Sequence, residues 1–159
     1  MDDLKNIKVL VKNLSSGVVT YSLDARHVRR EWAREGQVIP IPADELQEAI
    51  YDQGTYNLFI LGYLGIDNPD HRKLIGLEYD GFGPQVVPFD KNKAKALLAI
   101  EDLDAFKRQL QTLKSGQIET LIMTAYEIKN IDYNKQKIIK DVVGVDLANL
   151  IKNNDQAVQ

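Results

Sequence analysis

The sequence of 159 residues has no cysteine and no long apolar segment. Without cysteine the chain can form neither a disulfide nor a thiolate metal site, and a cysteine nucleophile is excluded. No apolar run approaches the roughly 20 residues that a membrane-spanning helix needs, so we expect no membrane association. The N-terminus begins with acidic residues and lacks the apolar region of a signal peptide, which favours a protein made in the cytoplasm.

Recognisable catalytic and cofactor motifs are also missing. The two histidines, His27 and His71, lie in unrelated segments, so we predict no metal site. There is no Gly-x-Ser-x-Gly motif, no Walker loop and no Gly-x-Gly-x-x-Gly motif. Glu101, Asp102 and Asp104 bring three carboxylates together, but their place at a predicted helix start favours capping over acid–base catalysis. We therefore expect no catalytic residues, no cofactor and no enzymatic activity, and a metal-dependent enzyme is the least favoured alternative.

Charge is distributed unevenly along the chain. Residues 1–42 carry seven basic and five acidic side chains, a net charge of +2. Residues 43–90 carry two basic and nine acidic side chains, a net charge of −7, and residues 91–159 return to +2. Segments of opposite sign favour self-association or docking between oppositely charged faces. The overall net charge of −3 argues against nucleic acid as the main partner.

The first 42 residues have the period-two pattern of half-buried strands. Four segments are predicted as strands: 7–13, 18–23, 28–32 and 37–41. The short loop Ser15-Ser16-Gly17 between the first two predicts a β-hairpin, and Pro40 predicts that the fourth strand lies at an edge or near its end. Residues 1–42 are therefore predicted to form a small antiparallel β unit.

The spacing changes to that of helices after Pro42. Residues 43–78 are predicted as an acidic helical segment packed on the β unit, with Leu46, Ala49 and Ile50 on one helical face. Gly54 is expected to end the first helix, and the apolar run 56–64 is interpreted as a second. A short helix through Leu74 follows, capped within Asp67-Asn68-Pro69-Asp70.

Residues 79–89 are predicted to be a connector, because they concentrate glycine and proline around Gly81-Phe82-Gly83-Pro84. From 90 to 152, apolar residues recur every three or four positions and short connections separate the segments, which predicts a helical bundle. Residues 153–159 are polar and are expected to form a frayed tail. The predicted class is thus α+β: an N-terminal antiparallel β unit, a helical middle and a C-terminal helical bundle.

The candidate interaction site is a stretch of arginines interleaved with tryptophan. It consists of Arg26, Arg29, Arg30, Trp32 and Arg34. These residues could protect a sheet edge while Trp32 packs into the core, could form a protein interface, or could contact nucleic acid. Changing Arg29 and Arg30 together to alanine should leave the fold nearly intact, because exposed charges contribute little to stability.

Several motifs of the first 67 residues resemble small proteins encoded by tailed phages and prophages of Gram-positive bacteria. The motifs are Val11-Lys12-Asn13, Ser16-Gly17, Val19–Leu23, Arg29–Trp32, Glu35-Gly36, Ile39, Glu45-Leu46, Gly54, Leu58, Tyr63-Leu64 and Ile66-Asp67. The chain departs from the family pattern at Trp32, where phenylalanine is expected, and in the Gly81–Pro84 loop. After residue 70 only the plan of a connector and short helices is shared.

This resemblance implies an accessory protein of the virion, attached to the capsid or neck. Its partners would be capsid or other virion proteins, with homo-oligomerisation as a further option. It would be synthesised in the bacterial cytoplasm and located in the virion. The alternative is a phage-encoded nucleic-acid-binding or regulatory module that uses the Arg26–Arg34 stretch.

Overall fold

The computed structural model describes residues 3–81 and 86–157, and the chain divides into two compact units. The N-terminal unit is Met1–Pro88 and the C-terminal unit is Phe89–Gln159. An antiparallel β region comes first and about eight helices follow, with 52% of the chain helical and 16% in strands. The predicted α+β class is confirmed.

The described residues of the N-terminal unit contain five short strands in two antiparallel sheets. They are β1 (Lys8–Asn13), β2 (Val19–Leu23), β3 (Val28–Trp32), β4 (Val38–Pro42) and β5 (Leu64–Gly65). One sheet has the order β4–β1–β5, and the other contains β2 and β3. The register places Leu10 opposite Pro40 and Tyr21 opposite Arg30. The strand that contains Pro40 lies at a sheet edge, where a residue without an N–H donor is tolerated.

The predicted hairpin between the first two strands is wrong. β1 pairs with β4 on one side and β5 on the other, which leaves β2 to pair with β3. Asn13, fully buried at the end of β1, explains the change of direction. Its Oδ1 accepts from the amide of Ser15 at 2.9 Å, and its Nδ2 donates to the carbonyls of Gly17 and Arg34 at 2.8 and 3.0 Å. This Asx-type turn directs the chain out of the first sheet.

Both sheets contribute to the core of the N-terminal unit. Trp32 of β3 is 0% exposed, donates from Nε1 to the carbonyl of Val11 at 3.0 Å, and packs against Tyr21 with ring centroids 5.8 Å apart. These contacts join the two sheets. The largest fully buried side chains of this core are Trp32, Phe59, Ile41, Leu46, Leu64, Ile66 and Leu77.

Between residues 3 and 81 the N-terminal unit also has three α-helices: α1 (Ala43–Ala49), α2 (Gln53–Ile60) and α3 (Pro69–Leu74). α1 buries Leu46 and Ala49, as the spacing predicts. Gly54 does not end α1, because it lies in the first turn of α2, which Asp52 caps through the amide of Thr55 at 3.0 Å. In the apolar run 56–64 the helix ends at Ile60. Leu64, the last residue of the run, begins β5, which pairs with β1.

A buried ion pair holds the segment after α3. The predicted cap of α3 is confirmed, because the side chain of Asn68 accepts from the amides of Asp70 and His71. Arg72 donates from Nε to Glu78 at 2.6 Å and from Nη1 to the carbonyls of Ile66 and Asp67 at 2.7 and 3.0 Å. Both charged side chains are less than 10% exposed, so each depends on the other for compensation.

The part of the C-terminal unit that the structure describes forms five helices. They are α4 (Lys91–Leu98), α5 (Leu103–Gln111), α6 (Ser115–Ile128), α7 (Tyr133–Val143) and α8 (Leu147–Ala157). Its largest fully buried side chains are Phe106, Leu110, Leu121, Ile139 and Leu147. The side chain of Asp102 caps α5, the role that the sequence favours for it. α8 continues to Ala157, into the segment expected to be a frayed tail.

The break between the units falls at the end of the connector predicted over 79–89. Residues 82–85, with most of the Gly81–Pro84 loop, lie outside the described part of the chain. Among the described helices, none is long and apolar enough to cross a bilayer.

Candidate functional site

The predicted arginine and tryptophan site is divided by the alternation of β3. Arg26 ends a short 3-10 helix over Asp24–Arg26, and Arg34 follows β3 in a turn. Within β3, Arg30 and Trp32 have the same parity and turn inward, whereas Arg29 is exposed on the opposite face. The five predicted residues therefore do not form one surface.

Trp32 is not available to a partner. Its side chain is completely buried between the two sheets, and its one polar atom is satisfied by the carbonyl of Val11. The interface role expected for Trp32 is therefore wrong, because its completely buried ring belongs to the core. Removing the ring would open a large cavity there.

Arg30 is an internal tie of the fold. It donates to the carboxylate of Glu45 on α1 through a two-point contact, from Nε to Oε2 at 2.9 Å and from Nη2 to Oε1 at 2.6 Å. The Glu45 side chain is 4% exposed, and the hydroxyl of Tyr21 also donates to its Oε2. The premise that Arg30 is an exposed charge is therefore wrong, and we expect its removal to cost stability, since Glu45 would lose its cationic partner inside the protein.

The pKa values in this cluster all shift towards the state that keeps it bonded. Burial is the main cause that raises the pKa of Tyr21 well above 10, with further contributions from the hydrogen bond to Glu45 and its charge. Burial acts to raise the pKa of Glu45, but the bonds from Arg30 and Tyr21 and the nearby positive charges outweigh it, and the pKa is lowered. The hydrogen bond to Glu45 raises the pKa of Arg30. A protonated phenol and an ionised carboxylate suit a structural cluster rather than proton transfer near neutral pH.

Arg26 also has its partners within the chain. It donates from Nε to Glu48 at 2.5 Å and from Nη1 to Asp44 at 3.1 Å, and these bonds raise its pKa. The oppositely charged segments that the sequence predicts to dock therefore do so inside the N-terminal unit, where β3 and the preceding turn meet α1. Of the five predicted interface residues, only Arg29 and Arg34 are exposed without an ion pair to any described residue.

A surface that the predicted site does not include lies on the outer face of β1 and β4. We call it the outer sheet face, and it consists of Lys8, Leu10, Lys12, Val38 and Pro40. Leu10 is 58% exposed and Val38 43% exposed, and the register pairs Leu10 with Pro40 and Lys12 with Val38. Its sequence signal is Leu10, an apolar residue that shares the parity of two lysines instead of the parity of the core valines.

The outer sheet face combines an apolar centre with a positive border. Lys8 is exposed without an ion pair to any described residue, and Lys12 approaches Asp67 only loosely, at 3.6 Å. β1 pairs with β4 from Lys8 to Lys12, and β5 pairs with it at Lys12 and Asn13. The face is therefore rigid, and it can offer apolar contact and directional positive charge to another protein.

No group of three or more histidine and acidic side chains that could hold a metal occurs in the described ranges 3–81 and 86–157. Comparison of the whole chain with protein-family models, curated proteins and solved structures finds no match.

Proposed function

We propose that this chain is a non-enzymatic accessory protein of a tailed-phage virion, which binds capsid or neck proteins through its N-terminal unit. The resemblance to phage and prophage proteins covers residues 7–67. That stretch supplies most of the core of the N-terminal unit and both partners of the Arg30–Glu45 pair. Several of the residues that suggest the family, such as Val11, Tyr21 and Leu46, thus belong to this core.

The outer sheet face is the observation that supports binding of another protein. Half-exposed Leu10 and Val38 would each contribute about 1 kcal/mol when a partner covers them. Lys8 and Lys12 would favour a partner with acidic side chains around its own apolar contact, and would accelerate the encounter. A partner with this chemistry fits the face better than an uncharged one.

The alternative of nucleic-acid binding through the Arg26–Arg34 stretch has weaker support. Arg26 and Arg30 already bond three carboxylates of α1, and Trp32 cannot stack on a base from inside the core. Two exposed arginines with Glu31 between them offer little positive field.

Association with particles tests the proposal. We expect the protein to co-purify with intact particles through a density gradient, at a constant ratio to the major capsid protein. Leu10→Glu should reduce this ratio at least tenfold. Val18→Glu is the matched control, because Val18 is 60% exposed but does not belong to the outer sheet face.

The possible outcomes distinguish the proposed virion function from the role of the outer sheet face as its contact surface. If the wild-type protein stays in the particle-free fraction, the virion function is wrong. If Leu10→Glu is incorporated as well as Val18→Glu, the function stands and the outer sheet face is not its contact.

A further inference from the structure

The hairpin of β2 and β3 has two open edges. In the described part of the chain these strands pair with each other and with no third strand. Apart from the 3-10 helix in the turn that joins them, no other described strand or helix runs along either one. Contacts of inward side chains, those of Tyr21, Arg30 and Trp32, attach the hairpin to the rest of the unit. The outer edge of each strand can therefore accept a further strand.

The two strands differ in what they expose beside these edges. β3 exposes Arg29 and Glu31, which are two residues apart and opposite in charge. β2 exposes the neutral side chains of Thr20 and Ser22 at the corresponding positions. Neither Arg29 nor Glu31 forms an ion pair with any residue that the structure describes. The β3 edge therefore carries two charges that an added strand can complement.

Antiparallel pairing of β3 with β3 of a second copy would match these charges. Directly opposed residues of an antiparallel pair point to the same face, so the exposed charges of the two copies can meet in three registers. Two of these place Arg29 opposite Arg29 or Glu31 opposite Glu31, and like charges directly opposite each other are destabilising. The third register is centred on Arg30 and places Arg29 of each copy opposite Glu31 of the other.

We propose that two copies of this protein associate through their β3 edges into a symmetric dimer. The hairpins would form one four-stranded sheet of the order β2–β3–β3–β2, with two Arg29–Glu31 pairs across its centre. Both copies use the same edge, so this contact closes at two copies. The outer sheet face belongs to the other sheet and is not part of the contact, so the dimer does not depend on the proposed virion function.

The dimer should be weak and sensitive to salt. A strand edge of five residues buries less than the roughly 1,200 Å² of a small stable interface, so we expect a dissociation constant in the high micromolar range. Arg30 lies on the twofold axis but is already bonded to Glu45, so it brings no unpaired charge into the contact. The exposed Arg29–Glu31 pairs are screened by salt, which should weaken the dimer.

Sedimentation equilibrium of the full-length protein tests the proposal. We expect the average mass to rise from that of one chain to that of two between micromolar and millimolar concentrations. Arg29→Glu and Glu31→Arg each place like charges opposite each other, so each should weaken dimerisation by about tenfold. Arg34→Glu is the matched control for the change of charge, because Arg34 is also exposed but follows β3 in a turn. It should dimerise as the wild type does.

Combining the two variants tests the register itself. In an equimolar mixture, Arg29→Glu and Glu31→Arg have opposite charges at both paired positions, so the mixture should dimerise with nearly wild-type affinity. The double variant Arg29→Glu/Glu31→Arg should do so by itself for the same reason.

Three results would overturn the proposal. A wild type that stays monomeric would refute the dimer. Single variants that dimerise as strongly as the wild type would assign the contact to another surface, such as the β2 edge. Failure of either the mixture or the double variant to recover dimerisation would refute the pairing of Arg29 with Glu31.

Discussion

The cores of the two units differ in their use of charge. In the described part of the C-terminal unit, the buried polar side chains are Thr120 and Thr124, whose hydroxyls donate to carbonyls one turn earlier in α6. The N-terminal unit also buries Glu45, Arg72 and Glu78. Each of these charges is compensated by a partner from another part of the chain or by backbone carbonyls.

This difference shows two ways of specifying a fold. Apolar residues at helical spacing encode the C-terminal unit locally, so its stability depends on the volume of its core. In the N-terminal unit, Tyr21, Arg30 and Glu45 come from three elements and must meet for any of their polar groups to be satisfied. Its stability therefore depends on matched charges as well as on volume.

The largest expected effect is a cavity in the C-terminal unit. Phe106→Ala should lower the free energy of unfolding by about 3–5 kcal/mol, because Phe106 is completely buried. Urea unfolding followed by circular dichroism at 222 nm measures the loss. Leu103→Ala, at a 36% exposed position of the same helix, is the control and should cost much less. Similar losses would mean that the core of this unit is misassigned.

Removing a buried charge from the N-terminal unit should lower the free energy of unfolding by nearly as much. Glu45→Ala should cost about 3 kcal/mol, because Arg30 and the Tyr21 hydroxyl both lose their acceptor. Trp32, the chain's single tryptophan, reports this unfolding by its fluorescence. Glu48→Ala on the same helix removes an exposed ion pair and should have a small effect. Equal losses of unfolding free energy in the two variants would mean that burial does not strengthen the Glu45 cluster.

Two neighbouring arginines sharpen the comparison further. Arg30→Ala should cost about 2 kcal/mol, because it leaves the buried Glu45 carboxylate with the Tyr21 hydroxyl as its remaining side-chain donor. Arg29→Ala should move the melting temperature by less than about 2 °C, since its side chain is exposed. Thermal unfolding of both single variants measures the difference. An equal drop in the two would contradict the inward orientation of Arg30.

The smallest expected effect is a pH dependence of the stability of the N-terminal unit. Because the pKa of Glu45 is lowered in the fold, its contribution is complete above the reference value of 4.5 and is lost as the pH falls through the folded value. Because the pKa of Tyr21 is raised, its contribution is complete below 10 and is lost above it. The free energy of unfolding, measured in urea by the fluorescence of Trp32, should therefore fall below pH 4.5. Glu45→Gln should make this fall smaller. An unchanged fall in the variant would show that other carboxylates cause it.

Much of the fold could be predicted from the sequence, because many elements are encoded by neighbours. The strand segments, the buried face of α1, the cap at Asn68 and the periodic helices of the C-terminal unit all depend on residues a few positions apart. Strand pairing does not. The choice between β2 and β4 as the neighbour of β1 is made by the turn at Asn13 and by contacts more than 20 residues apart.

The candidate site was predictable only in part for the same reason. The alternation of β3 already places Arg30 and Trp32 on one side and Arg29 on the other, so the sequence contains the signal that divides the arginine stretch. The identity of Arg30's partner is not encoded nearby, since Glu45 lies 15 residues further along the chain. The cleft lined by Tyr51, Tyr56 and Tyr79 draws residues from three helices and the turn after α3, and no short motif marks it.

Pro40 and Pro42 on the edge strand β4 limit how copies of this protein can aggregate. Two residues apart, they have the same orientation and together remove two N–H donors that an added strand would need. A continuous backbone ladder from one molecule to the next therefore cannot grow from this edge, even at high protein concentration. The outer sheet face beside it can expose leucine and valine without the hazard of amyloid-like growth.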